Sequence, residues 1–498
     1  MTRSLRFRAF VRLALSVAWL MAPARTLGSA TVPPNTDVSA RIRRVETGLL
    51  PAVTLRGEPR VAWALADRMQ HYGIPGVSIA VIDSGKLAWT RGYGVLRAGG
   101  TSTVTADTFF EAASISKPIT AVAAMRLVED GRLALDEDVN RWLRRWKVPP
   151  SQLTREQQVT LRRLLSHTAG VSGHGFRGYA PGERVPTLLE ILQGRAPANT
   201  EPLTIEFVPG SKLLYSGGGY LVVQQLLTDV THRPFDAVAH ASVLARSEMR
   251  DSTFAQPLPR REWHRAASGH DEKGAAMPGG WNVYPELAPA GLWSSAADVA
   301  RFAIEMLCAT RGESRMLGAR WAKEMLEPQQ PGGWGLGFEL HGKGSAARFG
   351  HTGSVLGYRS AFVVYPATGQ GAVVMTNSDN GVPLAEEILR SVSAEYGWPD
   401  YVPVEKVIVT QPAEVLRDYV GRYRLDDGLV ITVTVENGKL MGQPGDRPKL
   451  ELLPQSTTLF FLREMQADVE FRRDEHGAVT ALVLHEGEQE PSVAPRLP

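Results

Sequence analysis

The sequence predicts an α/β fold in which an antiparallel sheet flanked by helices is joined to an all-helical lobe and followed by a small antiparallel β-barrel. Paired extended runs separated by turn residues occur at 76–95 and again at 348–379, each beside a segment with helical periodicity. Residues 112–331, between these runs, are helix and loop with many Gly and Pro. We therefore expect one sheet assembled from both ends of this region, with the helical lobe inserted between its strands.

A second domain is predicted because the composition and pattern of the sequence change near Glu414. Short runs rich in β-branched and aromatic residues follow, separated by turn signals such as Asn437-Gly438. Strand pairs at this spacing are typical of a small barrel or sandwich. A chain of 498 residues is also too long for one ordinary core. The predicted division is a signal peptide (1–30), a main domain (31–400), a linker (401–412) and a C-terminal barrel (413–498).

The composition excludes several classes of protein. Hydrophobic residues at 43% and charged residues at 21% are typical of a soluble globular protein. The net charge is only +3, and no dense Lys/Arg stripe occurs beyond the first dozen residues, so no nucleic-acid partner is expected. The single cysteine, Cys308, lies in a helical segment and cannot form an internal disulfide. Stability must therefore come from packed cores.

The first 30 residues have the order of a secretory signal. Arginines at positions 3, 6, 8 and 12 precede an apolar run at 13–22, and small residues follow. The apolar run is too short to span a bilayer comfortably. We expect export to the periplasm or the exterior, cleavage after Ala24 or Ala30, and no stable membrane anchor afterwards. The alternative is a buried N-terminal helix.

A serine and a lysine lie one helical turn apart near the start of an apolar helical segment. Only Lys117, among the lysines, has a serine three positions before it, and that serine is Ser114. If a helix begins at about Ser114, both side chains project from one face, and Pro118 falls in the first turn. A lysine whose pKa is lowered by burial can take the proton of a serine hydroxyl and make it a nucleophile. The structural alternative is an N-cap serine with a surface lysine.

Two further groups of residues could take part in catalysis or in substrate binding. Tyr215 and Ser216 lie in a predicted loop before an amphipathic helix, with Gly217 to Gly219 between, and a phenol there can pass a proton to a leaving group. The alternative is a capping turn with a core tyrosine. His351-Thr352-Gly353 lies on a presumed edge strand, where glycine would let a substrate carbonyl approach the backbone. The N–H of Ser354 could then hold an oxyanion, whereas the alternative is a packed histidine.

Taken in order, these three groups resemble the active site of serine β-lactamases and penicillin-binding proteins. The chain more closely resembles the class C β-lactamase branch, which also contains D-alanyl-D-alanine carboxypeptidases, D-aminopeptidases and family VIII esterases. The resemblance covers about residues 60–398 and implies the α/β fold described above, with the site between sheet and helical lobe. The C-terminal region resembles the lipocalin-like barrel found behind some members.

The resemblance implies a role for each residue. Ser114 becomes acylated, Lys117 and Tyr215 share the proton transfers without either being identified as the base, and the N–H groups of Ser114 and Ser354 form the oxyanion hole. The implied substrate-binding positions are Ser216, Gly217, His351, Thr352 and Gly353. His351 and Thr352 would line the side where a substrate carboxylate or acyl group rests.

Two positions depart from the family pattern. Gly217 stands where the family usually has an asparagine whose amide grips the acyl side chain. His351 stands where the family more often has lysine, and a histidine is largely neutral at pH 7. Both changes favour an esterase or a peptidase over an efficient β-lactamase.

The sequence therefore predicts an exported serine hydrolase that acts through an acyl-enzyme on an ester, an amide or a short peptide, as a carboxylesterase or a D-amino-acid-type peptidase. The alternatives are a class C-like β-lactamase and a non-catalytic peptidoglycan- or peptide-binding protein on the same scaffold. No metal or cofactor is expected, because neither His-Glu-x-x-His nor a phosphate-binding Gly-x-x-x-x-Gly-Lys-Ser/Thr motif occurs.

Overall fold

The structure, a computed structural model, describes residues 38–59, 61–330, 333–425, 428–486 and 491–498. The predicted signal peptide lies outside the described residues. In chain order, the strands are β1 (Val53–Leu55), β2 (Gly76–Asp83), β3 (Lys86–Gly94), β4 (Phe110–Ala113), β5 (Ser252–Thr253), β6 (Leu292–Ser294), β7 (Glu339–His341), β8 (Arg348–Val355), β9 (Tyr358–Tyr365), β10 (Gln370–Thr376), β11 (Val404–Lys406), β12 (Gly421–Arg424), β13 (Val430–Glu436), β14 (Lys439–Pro444), β15 (Leu450–Pro454), β16 (Leu459–Phe461), β17 (Ala467–Arg473), β18 (Val479–Glu486) and β19 (Ser492–Pro495).

The α-helices, in the same order, are α1 (Val38–Thr47), α2 (Leu65–Tyr72), α3 (Ser116–Glu129), α4 (Gln152–Glu156), α5 (Leu161–Leu165), α6 (Leu188–Gln193), α7 (Gly217–Thr231), α8 (Phe235–Ala239), α9 (Leu287–Ala290), α10 (Ala296–Arg311), α11 (Ala319–Met325), α12 (Gly381–Tyr396) and α13 (Ala413–Asp418). In the part of the chain that the structure describes, none of the helices is long and apolar enough to cross a membrane.

Among the described residues, six strands form the central antiparallel sheet in the order β3-β2-β10-β9-β8-β7. β2 and β3 precede the helical lobe and β7 to β10 follow it, so the predicted assembly from both ends is confirmed. Side chains of β2 alternate between two cores, because successive residues of a strand point to opposite faces. Val77, Ile79 and Val81 pack with α1, α2 and α12, whereas Ala80 and Ile82 pack with α10 and the helical lobe.

The lobe also contains strands that the sequence did not predict. Within the described residues, β4, β6 and β5 form a three-stranded antiparallel sheet in that order. These strands are two to four residues long, which is too short for alternation of polar and apolar residues to be visible in the sequence. Because β4 leads directly into α3, this small sheet positions the start of that helix.

The C-terminal domain is a nearly closed antiparallel barrel, as predicted. In its described residues, eight strands, β12 to β19, each pair with the next along the chain. A bridge between Tyr423 and Arg496 and a 2.7 Å hydrogen bond from the Leu497 N–H to the Arg422 carbonyl bring the last strand back to the first. Closure satisfies the backbone groups that an open sheet would leave at its edges.

The predicted linker contains a strand that contacts both domains. β11 pairs in parallel with β1 of the main domain. Val53 and Leu55 of β1 pack in a small apolar cluster with Phe461 of the barrel. The Lys406 ammonium of β11 donates to Asp468 of the barrel at 2.8 Å. This segment therefore fastens the barrel to the main domain instead of only connecting them.

Candidate active site

Ser114 lies in the turn between β4 and α3, at the edge of a cavity. Helix α3 begins at Ser116 instead of the expected Ser114, because residues 114 and 115 form the turn. Ala113 has a φ of +51°, a conformation that is uncommon for a residue with a side chain. Ser116 holds the turn, since its hydroxyl donates to the Ala113 carbonyl (2.6 Å) and accepts from the Leu292 N–H (3.0 Å). The turn leaves the Ser114 hydroxyl half-buried beside the cavity.

Lys117 lies directly beneath this hydroxyl. Its Nζ is 2.9 Å from Ser114 Oγ and donates to the Pro289 carbonyl at 2.9 Å. The residue is only 2% exposed. Burial lowers the pKa of Lys117 to about 7, and the negative charge of Glu339 opposes this shift. The amine can therefore lose its proton near neutral pH while it remains in contact with the serine.

Tyr215 closes the other side of Ser114. Its side chain hydrogen-bonds to that of Ser114, and the Lys117 Nζ lies 4.8 Å from the centre of its ring. Burial raises the pKa of Tyr215 above its usual value, although the hydrogen bond to Ser114 opposes the shift. The phenol is therefore protonated at neutral pH.

The glycines after Tyr215 belong to a helix and not to a loop. Helix α7 begins at Gly217, and the Ser216 hydroxyl accepts from the Gly219 N–H at 2.9 Å as its N-cap. Ser216 is therefore buried as a cap and does not line the cavity, contrary to its predicted place in substrate binding. Gly217 does line the cavity. A Cβ at this position would lie 2.5 Å from Cε2 of Phe176, so this aromatic ring occupies the space beside the glycine.

Strand β8 presents alternate residues to the cavity. Thr352 and Ser354 line it, whereas His351 and Gly353 are buried on the other face. A Cβ at Gly353 would lie 2.3 Å from the carbonyl oxygen of Ala112, so the glycine lets β8 approach the strand that precedes Ser114. This reason differs from the expected one, which was close approach of a substrate.

The backbone of β8 also has a free edge at this point. Strand β7 pairs only with residues 348–350 of β8, and the Thr352 N–H beyond them donates to the Glu339 side chain. Because N–H groups of alternate residues point to the same edge of a strand, the Ser354 N–H is directed toward that side. The contribution of this N–H to an oxyanion hole stays a prediction.

Glu339 is a site residue that the sequence did not reveal. Its Oε1 accepts from both the N–H and the hydroxyl of Thr352, at 3.2 and 3.1 Å, and lies 3.6 Å from His351 Nδ1. Burial alone would raise the pKa of Glu339, but hydrogen bonds from His341 and Thr352 and the nearby His351 lower it to about 2. Burial lowers the pKa of His351 to about 4, against the opposing effect of Glu339. At neutral pH this wall carries a carboxylate and an uncharged imidazole.

The rings of His167 and Trp334 lie behind Tyr215 and form the back of the site. The His167 ring centre lies 4.4 Å from that of Tyr215 and 4.7 Å from that of Trp334. His167 Nδ1 accepts from the Ser216 N–H at 3.1 Å, and Nδ1 of His174 lies 2.7 Å from the Tyr215 carbonyl oxygen. Both histidines therefore contact backbone, and they fix the segment that carries Tyr215.

The cavity has a volume of about 1150 Å³. The expected site residues that it brings together are Ser114, Lys117, Tyr215, Gly217, Thr352 and Ser354. His351, Gly353 and Ser216 are buried beside it, and the ring centre of His351 lies 6.2 Å from that of Tyr215 and 5.5 Å from that of Trp334. Within the described residues, no group of three or more His, Cys, Asp or Glu side chains is arranged to hold a metal ion.

The chain is similar to several known proteins. Penicillin-binding protein 4* of Bacillus subtilis (strain 168) is 24% identical over 441 residues, which cover 84% of this chain and 94% of that protein. Esterase EstB of Burkholderia gladioli is 29% identical over 344 residues, which cover 61% of this chain and 86% of that protein. The structure of D-amino acid amidase from Ochrobactrum anthropi SV3 superposes with a TM-score of 0.55 at 21% identity, covering 73% of this chain and 98% of that one.

The two domains match two different families. Residues 405–495 match a domain of unknown function, DUF3471, and this region contains the barrel. Residues 61–394, which span the sheet, the helical lobe and the cavity, match the Beta-lactamase family. This chain therefore belongs to the Beta-lactamase family, whose members are serine hydrolases of the β-lactamase and penicillin-binding-protein type.

Proposed function

We propose that this protein hydrolyses an ester or amide through an acyl-enzyme on Ser114, as a carboxylesterase or a D-amino-acid-type peptidase. One observation carries the proposal: the Lys117 amine lies 2.9 Å from the Ser114 hydroxyl, and its pKa is lowered to about 7 by burial. A base of this pKa, held within hydrogen-bond distance of a hydroxyl, is what nucleophilic catalysis by serine requires.

In the acylation step, Lys117 acts as the base. Its neutral amine takes the hydroxyl proton of Ser114 while the oxygen attacks the carbonyl carbon of the substrate. The developing negative charge rests on the carbonyl oxygen, where the N–H groups of Ser114 and Ser354 donate hydrogen bonds. When the tetrahedral intermediate collapses, the bond to the alcohol or amine breaks, and the leaving group takes a proton from Tyr215, which is replenished from the Lys117 ammonium.

Deacylation runs through the same groups. Water gives a proton to the restored base and attacks the acyl carbon, and Ser114 leaves with a proton returned to its oxygen. The products are a carboxylic acid and regenerated enzyme. Tyr215 is the poorer base of the two because its pKa is raised by burial, so we assign it to proton delivery.

The walls of the cavity favour esters and simple amides over β-lactams. The Phe176 ring fills the space beside Gly217, so an acyl side chain meets an apolar surface there. The wall at Thr352 holds the Glu339 carboxylate, which disfavours the carboxylate that penicillins and cephalosporins carry. The name of the relative Esterase EstB is consistent with ester hydrolysis.

A covalent label tests this proposal. A fluorophosphonate should attach to Ser114, as shown by peptide mass spectrometry, and Ser114→Ala should abolish the label. Ser211→Ala, at an exposed serine of the cavity wall, is the control and should keep it. A wild-type protein that acquires no label would favour the alternative of a non-catalytic peptidoglycan or peptide receptor on the same scaffold.

Rates on three substrates rank the activities. We expect turnover of p-nitrophenyl butyrate or D-alanyl p-nitroanilide to exceed that of nitrocefin by at least about a hundredfold in kcat/KM. Nitrocefin turnover equal to that of the best ester would instead identify a class C-like β-lactamase.

We also propose that the protein is exported. The support is the order of charged, apolar and small residues in the first 30 positions. Expression of the full chain in a Gram-negative host, followed by osmotic shock and N-terminal sequencing, tests this. Mature protein beginning after Ala24 or Ala30 in the shock fluid is expected, whereas an intact N-terminus in the cytosol would contradict it.

A further inference from the structure

Building on the proposed hydrolase function, we propose that Glu339 makes this site selective for esters or amides that carry a positively charged ammonium group. The selectivity concerns the part of the substrate that lies along the wall formed by Glu339 and Thr352, and Glu339 is the residue that determines it.

The Glu339 carboxylate lies against Thr352. Glu339 Oε1 accepts from both polar donors of Thr352, its N–H and its hydroxyl. Thr352 is one of the residues expected to receive a substrate carboxylate, but here an anion of the protein itself already occupies its donors. A substrate carboxylate would have to displace Glu339 and lie against its negative charge.

The basic side chains around Glu339 do not cancel its negative charge. His351 and Lys117, the nearest basic side chains in the core of the site, both have pKa values lowered by burial, so neither holds a full positive charge above neutral pH. His341 Nε2 lies 3.9 Å from Glu339 Oε2 and is itself half-exposed. Lys212 also lines the cavity, but it is exposed and its Nζ lies 4.9 Å from the ring centre of Phe207. The Thr352 wall is therefore negative.

Hydrogen bonding to Thr352 alone does not require a carboxylate at position 339. A glutamine oxygen would accept from the same two Thr352 donors. What the carboxylate adds is a negative charge at a partly buried position, where charge interactions are stronger than in water. Its side chain is 22% exposed, so a ligand can reach it. An ammonium group placed there would form a charge-assisted contact.

Two pairs of isosteric esters test the proposal. In the first pair, the p-nitrophenyl esters of 4-(trimethylammonio)butanoic acid and 5,5-dimethylhexanoic acid differ only in a charged nitrogen or a neutral carbon on the acyl side. In the second pair, butyrylcholine and 3,3-dimethylbutyl butyrate differ in the same way on the alcohol side. Because each pair has one shape, the ratio of its kcat/KM values measures charge preference alone.

We expect the wild-type enzyme to prefer the cation by about tenfold or more in at least one pair. Glu339→Gln should bring that ratio close to one, and because both esters of a pair are measured on the same variant, this result does not depend on the overall rate of the variant. Glu313→Gln removes the same charge from an exposed position outside the cavity and should keep the wild-type ratio.

The outcomes separate the two proposals. Equal rates within both pairs for the wild-type enzyme, or a preference that survives in Glu339→Gln, would overturn the charge selectivity while ester hydrolysis stands. Absence of hydrolysis of all four esters, with no label on Ser114, would instead overturn the proposed function. If Glu339→Gln does not fold, the wild-type ratios still decide, because a preference caused by charge must fall as NaCl is raised from 0.05 to 0.5 M.

Discussion

The two domains of this protein differ in how they bury polar side chains. In the main domain, buried polar atoms of Glu111, His167, Glu286 and His351 have no hydrogen-bond partner within the protein. In the described residues of the barrel, no buried side-chain polar atom lacks one. The hydroxyl of the buried Tyr423, for example, donates to the Tyr419 carbonyl at 2.8 Å.

The difference indicates different physical demands. An unpartnered buried polar group lowers stability, so a domain under no other constraint avoids it. Around Ser114 the same burial lowers the pKa of His351 and that of Lys117, and the proposed chemistry requires the lowered pKa of Lys117. We infer that the main domain loses stability for the sake of its site, whereas the barrel is built for stability.

A matched pair of lysine substitutions should give the largest contrast between the domains. Lys117→Met should lower kcat/KM for p-nitrophenyl butyrate on the order of 10³-fold, because the base is lost. It should also raise the free energy of unfolding by about 1–3 kcal/mol at pH 7, because methionine does not have to be deprotonated on burial. The measurements are steady-state kinetics and urea unfolding.

The control is Lys406→Met, next to the barrel. It leaves Asp468 without its ammonium partner, so we expect the free energy of unfolding to fall by about 1 kcal/mol and kcat/KM to stay within about twofold. The expected sign at Lys117 depends on its pKa, which is 10.5 in an unfolded chain and about 7 in the fold. The gain should therefore shrink as pH rises from 7 toward 10.5. A constant gain would contradict the burial argument.

A cavity in the barrel should affect stability without affecting chemistry. The Phe471 ring stacks on Tyr419 with 4.4 Å between centres and is 1% exposed. Phe471→Ala should destabilise the barrel by about 3 kcal/mol. The last tryptophan of the chain is Trp398, so tryptophan fluorescence reports on the main domain alone, whereas far-UV circular dichroism reports on both.

In urea, the circular dichroism signal of Phe471→Ala should acquire an earlier transition, while the fluorescence midpoint and kcat/KM stay close to the wild-type values. Earlier loss of both signals together would mean that the two domains unfold as one unit. In that case the barrel stabilises the site directly, through the contacts of β1 and β11.

The parts of the fold and site that the sequence predicted are those that depend on local spacing. Ser114 and Lys117 are three residues apart, so their meeting follows from a helical turn. The sheet strands are long enough to show alternation. Tyr215 and the β8 residues could each be singled out locally, but only the resemblance to a family joined them to Ser114.

The missed parts depend on contacts between distant segments. Glu339 reaches the site only because β7 pairs with β8, and Phe176 lies in a loop whose position no periodicity fixes. Strand β11 was missed because its partner β1 lies about 350 residues earlier. The capping role of Ser216 did have a local signal, since a serine directly before an apolar helical segment is a common N-cap.

The pH dependence of activity should follow the titration of Lys117. Because Lys117 must be neutral to act as base, kcat/KM should fall about tenfold for each pH unit below 7 and reach a plateau above it. The pKa values of the other groups facing the amine are displaced away from this limb: those of Glu339 and His351 are about 2 and about 4, burial lowers the pKa of His167 well below its usual value, and burial raises the pKa of Tyr215. A single acidic limb is therefore expected.

Glu339→Gln provides the internal check on this limb. Its carboxylate raises the pKa of Lys117, so its removal should move the limb to lower pH. A limb that does not move, or that moves to higher pH, would show that a group other than Lys117 controls the rate.

The smallest expected effect concerns Glu111, in the strand that leads to Ser114. The side chain is 1% exposed and neither carboxyl oxygen has a partner in the protein, and burial raises its pKa well above the usual value. A carboxyl that is protonated in the fold and ionised in the unfolded chain contributes stability at low pH and loses it as pH rises. Glu111→Gln removes this dependence, so its stability relative to wild type should grow as pH rises above about 5, by about 1 kcal/mol for each pH unit over which the folded carboxyl stays protonated.

Urea unfolding at several pH values measures this slope, with Glu451→Gln in the barrel as the control. Glu451 is partly exposed and paired with Lys439, so its substitution should change the unfolding free energy by less than about 0.5 kcal/mol at each pH. Parallel pH profiles for wild type and Glu111→Gln would mean that Glu111 is ionised in the fold. A buried charge would then need a partner such as water, and the contrast between the two domains would be smaller than the side-chain contacts indicate.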